Sequence, residues 1–261
     1  MKRIGITERG DAGLNLMWAQ KLNTVDAAVI ISKNITSPAF KNALINAHNA
    51  GHKLILHVTC TGLGHSALEP NVPDPDTQIN ALQPIIDAGF PIEQVVLRVD
   101  PILPSDQTID FINIAKNTAN KAVAKYPSLK RIRISIMDLH YSHLRDRFRI
   151  AGLSDLLPHT FKSESYLDDH IKHRIIDAFT PFVRNGIAIE TCAEPLLTQA
   201  CSEFETTGCV SNKDLAILGL DPIEHVRIGA QRPGACCCLP KIELLEKRGQ
   251  CPHKCLYCFW R

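Results

Sequence analysis

The sequence carries no strong charge of either sign: 29 Lys and Arg stand against 27 Asp and Glu, a formal balance of +2. That removes the electrostatic case for a polyanion-binding protein, although a local basic patch stays open. No apolar run approaches the ~20 residues that a helical membrane span needs. The stretch Met1-Lys2-Arg3-Ile4-Gly5-Ile6-Thr7-Glu8-Arg9 lacks a secretory apolar core, so a cytoplasmic location is the expectation. There is no internal repeat, low-complexity tract or flexible linker, and one domain over 1–261 is expected. Neither H-x-H nor H-E-x-x-H occurs, which argues against a histidine-built catalytic metal.

What is present points first to an α/β fold. Short β-branched runs recur at Arg3–Thr7, Ala27–Ser32, Lys53–Thr59, Gln94–Val99, Arg131–Met137, Gly186–Thr191 and His225–Gly229. Each is apolar nearly throughout, the pattern of strands covered on both faces. Helical patterns fill the intervals at about 12–22, 38–50, 76–89, 106–125, 165–185 and 211–218. Ser37-Pro38 and Asp74-Pro75-Asp76 read as helix starts, and Gly51 and Gly89 as stops. Seven β/α alternations predict a parallel β/α barrel, complete or partial and TIM-like, with a Cys-rich tail at 235–261.

Ten cysteines are many for a reducing compartment, where metal binding is a better explanation than disulfides. Six of the ten (236, 237, 238, 251, 255 and 258) fall in the last 26 residues. Cys251, Cys255 and Cys258 are spaced C-x3-C-x2-C, so a tight loop can turn all three sulfurs to one face of a [4Fe–4S] cluster. Three ligands leave one iron open, and an open metal position is where chemistry happens. A Zn site or a redox-active Cys pair are the alternatives. Cys192, Cys209, Cys236 and Cys238 form a second pattern, suited to an auxiliary iron–sulfur cluster or a structural Zn, or else ordinary buried thiols. Cys201 and Cys237 have no evident role, and Cys60 is a core thiol or a substrate-side group.

In a β/α barrel the residues just past each strand line the active-site mouth. Here those are Glu8-Arg9-Gly10-Asp11, Lys33-Asn34, Thr59-Cys60-Thr61, Arg98-Val99-Asp100-Pro101, Asp138-Leu139-His140-Tyr141, Glu190-Thr191-Cys192-Ala193-Glu194 and Gln231-Arg232. Arg98 and Asp100, two apart on one strand, share a face. They suit either a clamp for a carboxylate and an amine or an internal salt bridge. His140 and Tyr141, with Ser142 and His143, suit proton transfer or hydrogen-bonded scaffold. Arg98, Asp100, His140 and Tyr141 are therefore the catalytic candidates. Lys33, Asn34, Arg98, Asp100 and Glu190 are the cofactor-binding candidates. Lys130-Arg131-x-Arg133 and Arg145-x-Arg147-x-Arg149 are the local basic runs, the second most simply a solvated face.

These residues carry two resemblances. Ser32-Lys33-Asn34, Glu69-Pro70-Asn71-Val72-Pro73, Arg98-Val99-Asp100-Pro101-Ile102, Cys192-Ala193-Glu194, Gly208-Cys209, Cys236-x-Cys238 and Cys251-Pro-His-Lys-Cys255-Leu-Tyr-Cys258 occur in this order. In that order the chain resembles the bacterial and phage domain of unknown function 1848 family. The final loop, with Tyr257 before the third Cys, resembles that of radical S-adenosylmethionine (SAM) enzymes, and in particular of spore-photoproduct-lyase-like proteins. The resemblance implies a [4Fe–4S] cluster and SAM as cofactors, and an electron donor such as flavodoxin or ferredoxin. It also implies a nucleobase or nucleic acid as substrate. A non-radical metal-binding barrel, with structural Zn or an electron-transfer cluster, is the alternative. Two departures stand out. Thr7-Glu8-Arg9-Gly10-Asp11 lacks one Arg of the family's first-strand run, and Lys33-Asn34 replaces the Gly-Gly-Glu of radical SAM barrels. The cluster loop also comes last in this chain, so it serves a barrel mouth only if the tail folds back over the strand ends.

Overall fold

The β-branched runs become strands that hydrogen-bond side by side in one direction. The computed structural model describes residues 3–105, 108–158, 167–224, 236–245 and 251–259. Its strands are β1 (Ile4–Ile6), β2 (Ala27–Ser32), β3 (Leu54–Thr59), β4 (Val95–Ile102), β5 (Arg131–Ile136), β6 (Ala188–Cys192), β7 (Glu205–Thr207) and β8 (Ile242–Glu243). Every ladder is parallel. The order is β7-β6-β5-β4-β3-β2-β1-β8. Parallel neighbours need crossovers, which are supplied by α1 (Met17–Gln20), α2 (Pro38–Asn49), α3 (Pro75–Asn80), α4 (Gln83–Asp87), α5 (Phe111–Lys125), α6 (Ser142–Ile150), α7 (Asp169–Arg184), α8 (Pro195–Ala200) and α9 (Asn212–Ile217). The result is a partial β/α barrel, as the alternation predicts.

Local signals account for the boundaries. Ser37 accepts the Phe40 N–H at the start of α2, and Asp74 accepts the Thr77 N–H at the start of α3. Gly51 and Gly89 close their helices at positive φ, +87° and +98°, a region that costs a side-chain-bearing residue energy. The helix expected over 76–89 is two helices, because Pro84 cannot donate into a continuous ladder and instead opens α4. The helix expected over 12–22 is shorter, Met17–Gln20, followed by a 3-10 turn at Leu22–Thr24. The expected strand His225–Gly229 and the rim pair Gln231-Arg232 lie outside the described residues.

Alternation along the strands divides the core in two. Ile30, Leu54, Leu56, Leu97, Ile132, Ile134 and Ile189 face the helices. Ile4, Ile6, Ala27, Val29, Ile55 and Val96 face inward, where they meet Cys209, Val210, Leu215 and Leu239. Segments following β7 and preceding β8 thus touch side chains from β1 to β4, which requires the sheet to curl. Among the described residues no ladder joins β7 to β8, so the curled sheet has a seam there.

Candidate functional site

The cluster loop is two consecutive tight turns. The Lys254 N–H donates to the Cys251 carbonyl and the Cys258 N–H to the Cys255 carbonyl, both at 3.2 Å. Lys254 takes a positive φ of 52° between them. Side chains from the strand exits hold these turns against the barrel. Asp11, just past β1, accepts from His253 Nε2 at 2.9 Å, while His253 Nδ1 sits 3.0 Å from the Asn71 carbonyl. An acceptor at each ring nitrogen favours the protonated imidazole. Burial alone would lower its pKa, but Asp11 and the Asn71 carbonyl outweigh burial and raise it. Asn71 Nδ2 donates to the Pro252 carbonyl at 2.7 Å, the Leu256 N–H to the Leu68 carbonyl at 2.9 Å, and Arg147 Nη1 to the Cys258 carbonyl at 2.6 Å.

Behind the loop, Glu69 is buried and fully engaged. Thr61 Oγ1 donates to it at 2.8 Å, Lys33 Nζ at 2.8 Å, and the Tyr257 hydroxyl also donates to it. Lys33 Nζ lies 2.9 Å from the Tyr257 hydroxyl. Burial would lower the Lys33 pKa, but Glu69 and Cys255 outweigh it, so the ammonium is retained. The tail therefore does fold back over the strand ends. A cavity of about 250 Å³ is lined jointly by Cys251, Cys255 and Cys258 and by Lys33, Arg98, Asp100 and Asp138 at the exits.

Burial pushes the Cys251 thiol up to about 11 and the Cys255 thiol up to about 12. Neither ionises at neutral pH on its own account, so a cationic metal or cluster is what would draw off the protons. The donor set fits a [4Fe–4S] cluster, with three soft ligands on one cavity wall and none of the three bonded to another. Among the described residues no three or more His, Cys, Asp or Glu side chains are grouped so as to hold a single metal ion. A cluster asks for less closure than an ion does, since each thiolate binds a different iron.

Arg98 and Asp100 line the cavity and bond to each other, and Ser135 Oγ donates to Asp100. The internal salt bridge is thus made. Arg98 Nε is buried without an acceptor among the described residues. Asn34 has its side-chain oxygen on the Thr36 N–H and hydroxyl, at 3.2 and 2.6 Å, in a local turn. His140 Nδ1 lies 3.9 Å from Asp138 Oδ1, and the Tyr141 ring packs on His140 and on Phe259 of the tail, with centroids at 3.9 and 5.3 Å. These two residues support the loop from the start of α6, outside the cavity wall. Trp260 lies outside the described residues.

Glu190 is placed elsewhere than its rim assignment implies. Its inward-facing carboxylate is 0% exposed. It accepts from Arg131 Nε at 2.6 Å and Arg133 Nη2 at 2.6 Å, while Arg131 Nη2 reaches Asp214 at 2.7 Å. The run Arg131-x-Arg133 is correspondingly a buried ion network, because alternate residues of β5 point into the barrel. The second basic run is divided: Arg145 and Arg147 brace backbone carbonyls, while Arg149 is solvated, as the sequence suggests. Arg145 donates to the Leu139 and His140 carbonyls at 2.6 and 2.7 Å, Arg147 holds the tail, and Arg149 pairs with Asp146 at 2.5 Å.

The second thiol group assembles too. Cys192 Sγ and Cys209 Sγ are 3.6 Å apart, and the Cys209 N–H donates to Cys238 Sγ at 3.1 Å. A contact with Cys238 lowers Cys236 to about 7. Cys60 is buried in the helix-facing core, and burial pushes it up to about 12, so it is a core thiol. The sequence reading did not single out Asp11, Glu69 or His253 as individual residues. Acidic residues at strand exits, and a His between ligand cysteines, were the signals available for them.

Fold and site define an α/β protein of parallel strands whose cysteine-rich C-terminal loop caps the strand ends. The family model described as a domain of unknown function, DUF1848, matches residues 16–260, and the chain belongs to that family. No match was found among curated proteins.

Proposed function

We propose that the chain is a radical SAM-type iron–sulfur enzyme, with Cys251, Cys255 and Cys258 as the cluster ligands. One observation carries the reading: a loop with three thiols, one short of a closed site, forms a wall of the cavity at the strand ends. When bound, a [4Fe–4S] cluster with an open iron supplies the electron that splits the SAM sulfonium into methionine and a 5′-deoxyadenosyl radical.

The chain's own residues do the positioning. Asp11, Glu69 and Asn71 hold the loop through His253, Tyr257 and Pro252. The Lys33 ammonium, facing Cys255, offsets thiolate charge. Arg98 has a buried donor that the carboxylate of an entering ligand would satisfy. Leu256 and Tyr257 are buried beside Cys255 and exclude water from it. The substrate class that accords with the loop's resemblance is a nucleobase. Arg131 and Arg133 are buried and Arg145 and Arg147 are bound to backbone carbonyls, so these four lend no support to a nucleic-acid backbone as its carrier.

The test uses full-length protein reconstituted without oxygen. Iron and sulfide are measured, and electron paramagnetic resonance of the reduced protein is recorded with and without SAM. A [4Fe–4S] signal that changes with SAM, and that Cys255→Ala abolishes, is the expected result. Iron that ignores SAM would make the protein an electron carrier. Retention of the signal in Cys255→Ala would overturn the ligand assignment.

A further inference from the structure

The barrel seam carries the second thiol group. Cys192 ends β6, Cys209 lies two residues past β7, and Cys236 and Cys238 precede β8. Across the seam the described backbone makes an isolated contact, the Leu239 N–H to the Val210 carbonyl at 3.0 Å. We propose that Cys192, Cys209, Cys236 and Cys238 bind one tetrahedral zinc ion that staples the seam between β7 and β8. The proposal does not depend on what the mouth thiols hold.

Four observations converge on a mononuclear site. A Zn–S bond of ~2.3 Å in a tetrahedron places sulfurs ~3.8 Å apart, and Cys192 and Cys209 stand at 3.6 Å. A [4Fe–4S] cluster would hold its four thiolates on separate irons, farther apart; a [2Fe–2S] cluster, which also brings thiolates together in pairs, is told from zinc by the iron and colour read in the test below. Secondly, the Cys209 N–H points at Cys238 Sγ, the backbone donor that stabilises a metal-bound thiolate. Thirdly, Lys241 Nζ lies 3.7 Å from the same sulfur and 2.5 Å from Glu8, a cation at hand for a four-thiolate site of net negative charge. Fourthly, the backbone is shaped for the approach. A Cβ on Gly208 would stand 2.5 Å from Cys238 Cα, so glycine is what lets the C-x-C segment reach Cys209. Ala193, just after Cys192, holds a positive φ of 59°, a strained state that persists where surroundings impose it.

Binding is proton exchange without redox: four S–H protons leave as the zinc ion arrives. Among the described residues no three of these side chains are already grouped to hold an ion; Cys192 touches Cys209 and the Cys209 N–H touches Cys238, and the ion would draw Cys236 and Cys238 onto the Cys192–Cys209 pair. All four ligands come from protein, the mark of a structural rather than a catalytic zinc.

The experiment compares wild type, the triple variant Cys251→Ser/Cys255→Ser/Cys258→Ser, and Cys192→Ser, all purified without oxygen and supplied with zinc or cobalt(II). The triple variant is expected to keep one zinc per chain and, with cobalt, to develop the charge-transfer bands of a tetrahedral four-thiolate site. Cys192→Ser should lower zinc affinity by more than the ~10–100-fold that outer-shell changes cost. If Cys192→Ser does not fold, thiol titration of the triple variant decides: four thiols should become reactive per zinc released. Iron and a visible chromophore in the triple variant, no metal there, or a Cys192–Cys209 disulfide in place of metal would each overturn the proposal. The mouth reading fails separately, through loss of the SAM response in wild type.

Discussion

Replacing Glu190 with Gln separates two roles for one residue. As a rim ligand, Glu190 would bind cofactor and its loss would spare the fold. As the buried anion seen here, its loss strands two guanidinium groups. Glu190 accepts from Arg131 Nε and Nη2 at 2.6 and 3.2 Å, and from Arg133 Nε and Nη2 at 3.0 and 2.6 Å. Breaking a buried pair by removing one partner costs ~3–5 kcal/mol, against a total stability of ~5–15 kcal/mol. At ~2–4 °C per kcal/mol for a domain of this size, Tm should fall by roughly 6–20 °C. The pH dependence gives an independent figure. Burial alone would raise the Glu190 pKa, but Arg133 and Arg131 outweigh it and hold it at about 2, below the usual 4.5. A depressed folded pKa stabilises above the unfolded value and loses that contribution as pH falls, here between 4.5 and about 2. At ~1.4 kcal/mol per unit this amounts to about 3 kcal/mol. Urea unfolding of wild type and Glu190→Gln across that window is the assay. A variant within ~1 kcal/mol of wild type at neutral pH, or parallel acid profiles, would refute the reasoning.

Other outcomes follow from the same contacts. Glu69→Gln removes the negative charge that pairs Lys33 and weakens the bond from Tyr257, and trypsin should then cut after the exposed Lys254 about tenfold faster, the factor that ~1.4 kcal/mol of lost docking represents. Gly208→Ala drives a Cβ against the Cys238 backbone and should cost ~1–3 kcal/mol in denaturant unfolding. Arg149→Ala removes an exposed pair with Asp146 and should change stability by no more than ~0.5 kcal/mol. An Arg149 effect several times larger would mean that α6 is braced by contacts other than Arg145 and Arg147.

The strands that could be read from sequence are those whose burial on both faces leaves an unbroken β-branched run, such as Ala27–Ser32 and Leu54–Thr59. Glu205–Thr207 and Ile242–Glu243 are three and two residues long, too short for any periodicity. Helix α6 was hidden by its arginines, which all look solvated in sequence, although Arg145 and Arg147 are turned onto the carbonyls they bind. The same blindness applies to Arg131 and Arg133: a charge inside a barrel is visible only once the partner from the next strand is known. Spacing was enough to group Cys251, Cys255 and Cys258. Grouping Cys192 with Cys238 rested on counting to four, and their adjacency comes from the curl of the sheet. Asp11 and Glu69 grip a segment more than 180 residues away in sequence, at separations of 242 and 188 residues. No local pattern encodes a pairing of that range.

The way the cysteine loop is attached has a consequence for how such a protein is made and mended. Side-chain grips from Asp11, Glu69, Asn71 and Arg147, one backbone bond and the small apolar cluster around Leu256 and Tyr257 hold it to a frame whose strands and helices have their own larger core. A segment fastened in this way opens at far less cost than the frame unfolds. On the proposed reading, the folded barrel would then present its three thiols to an incoming cluster and shut again without passing through the denatured state.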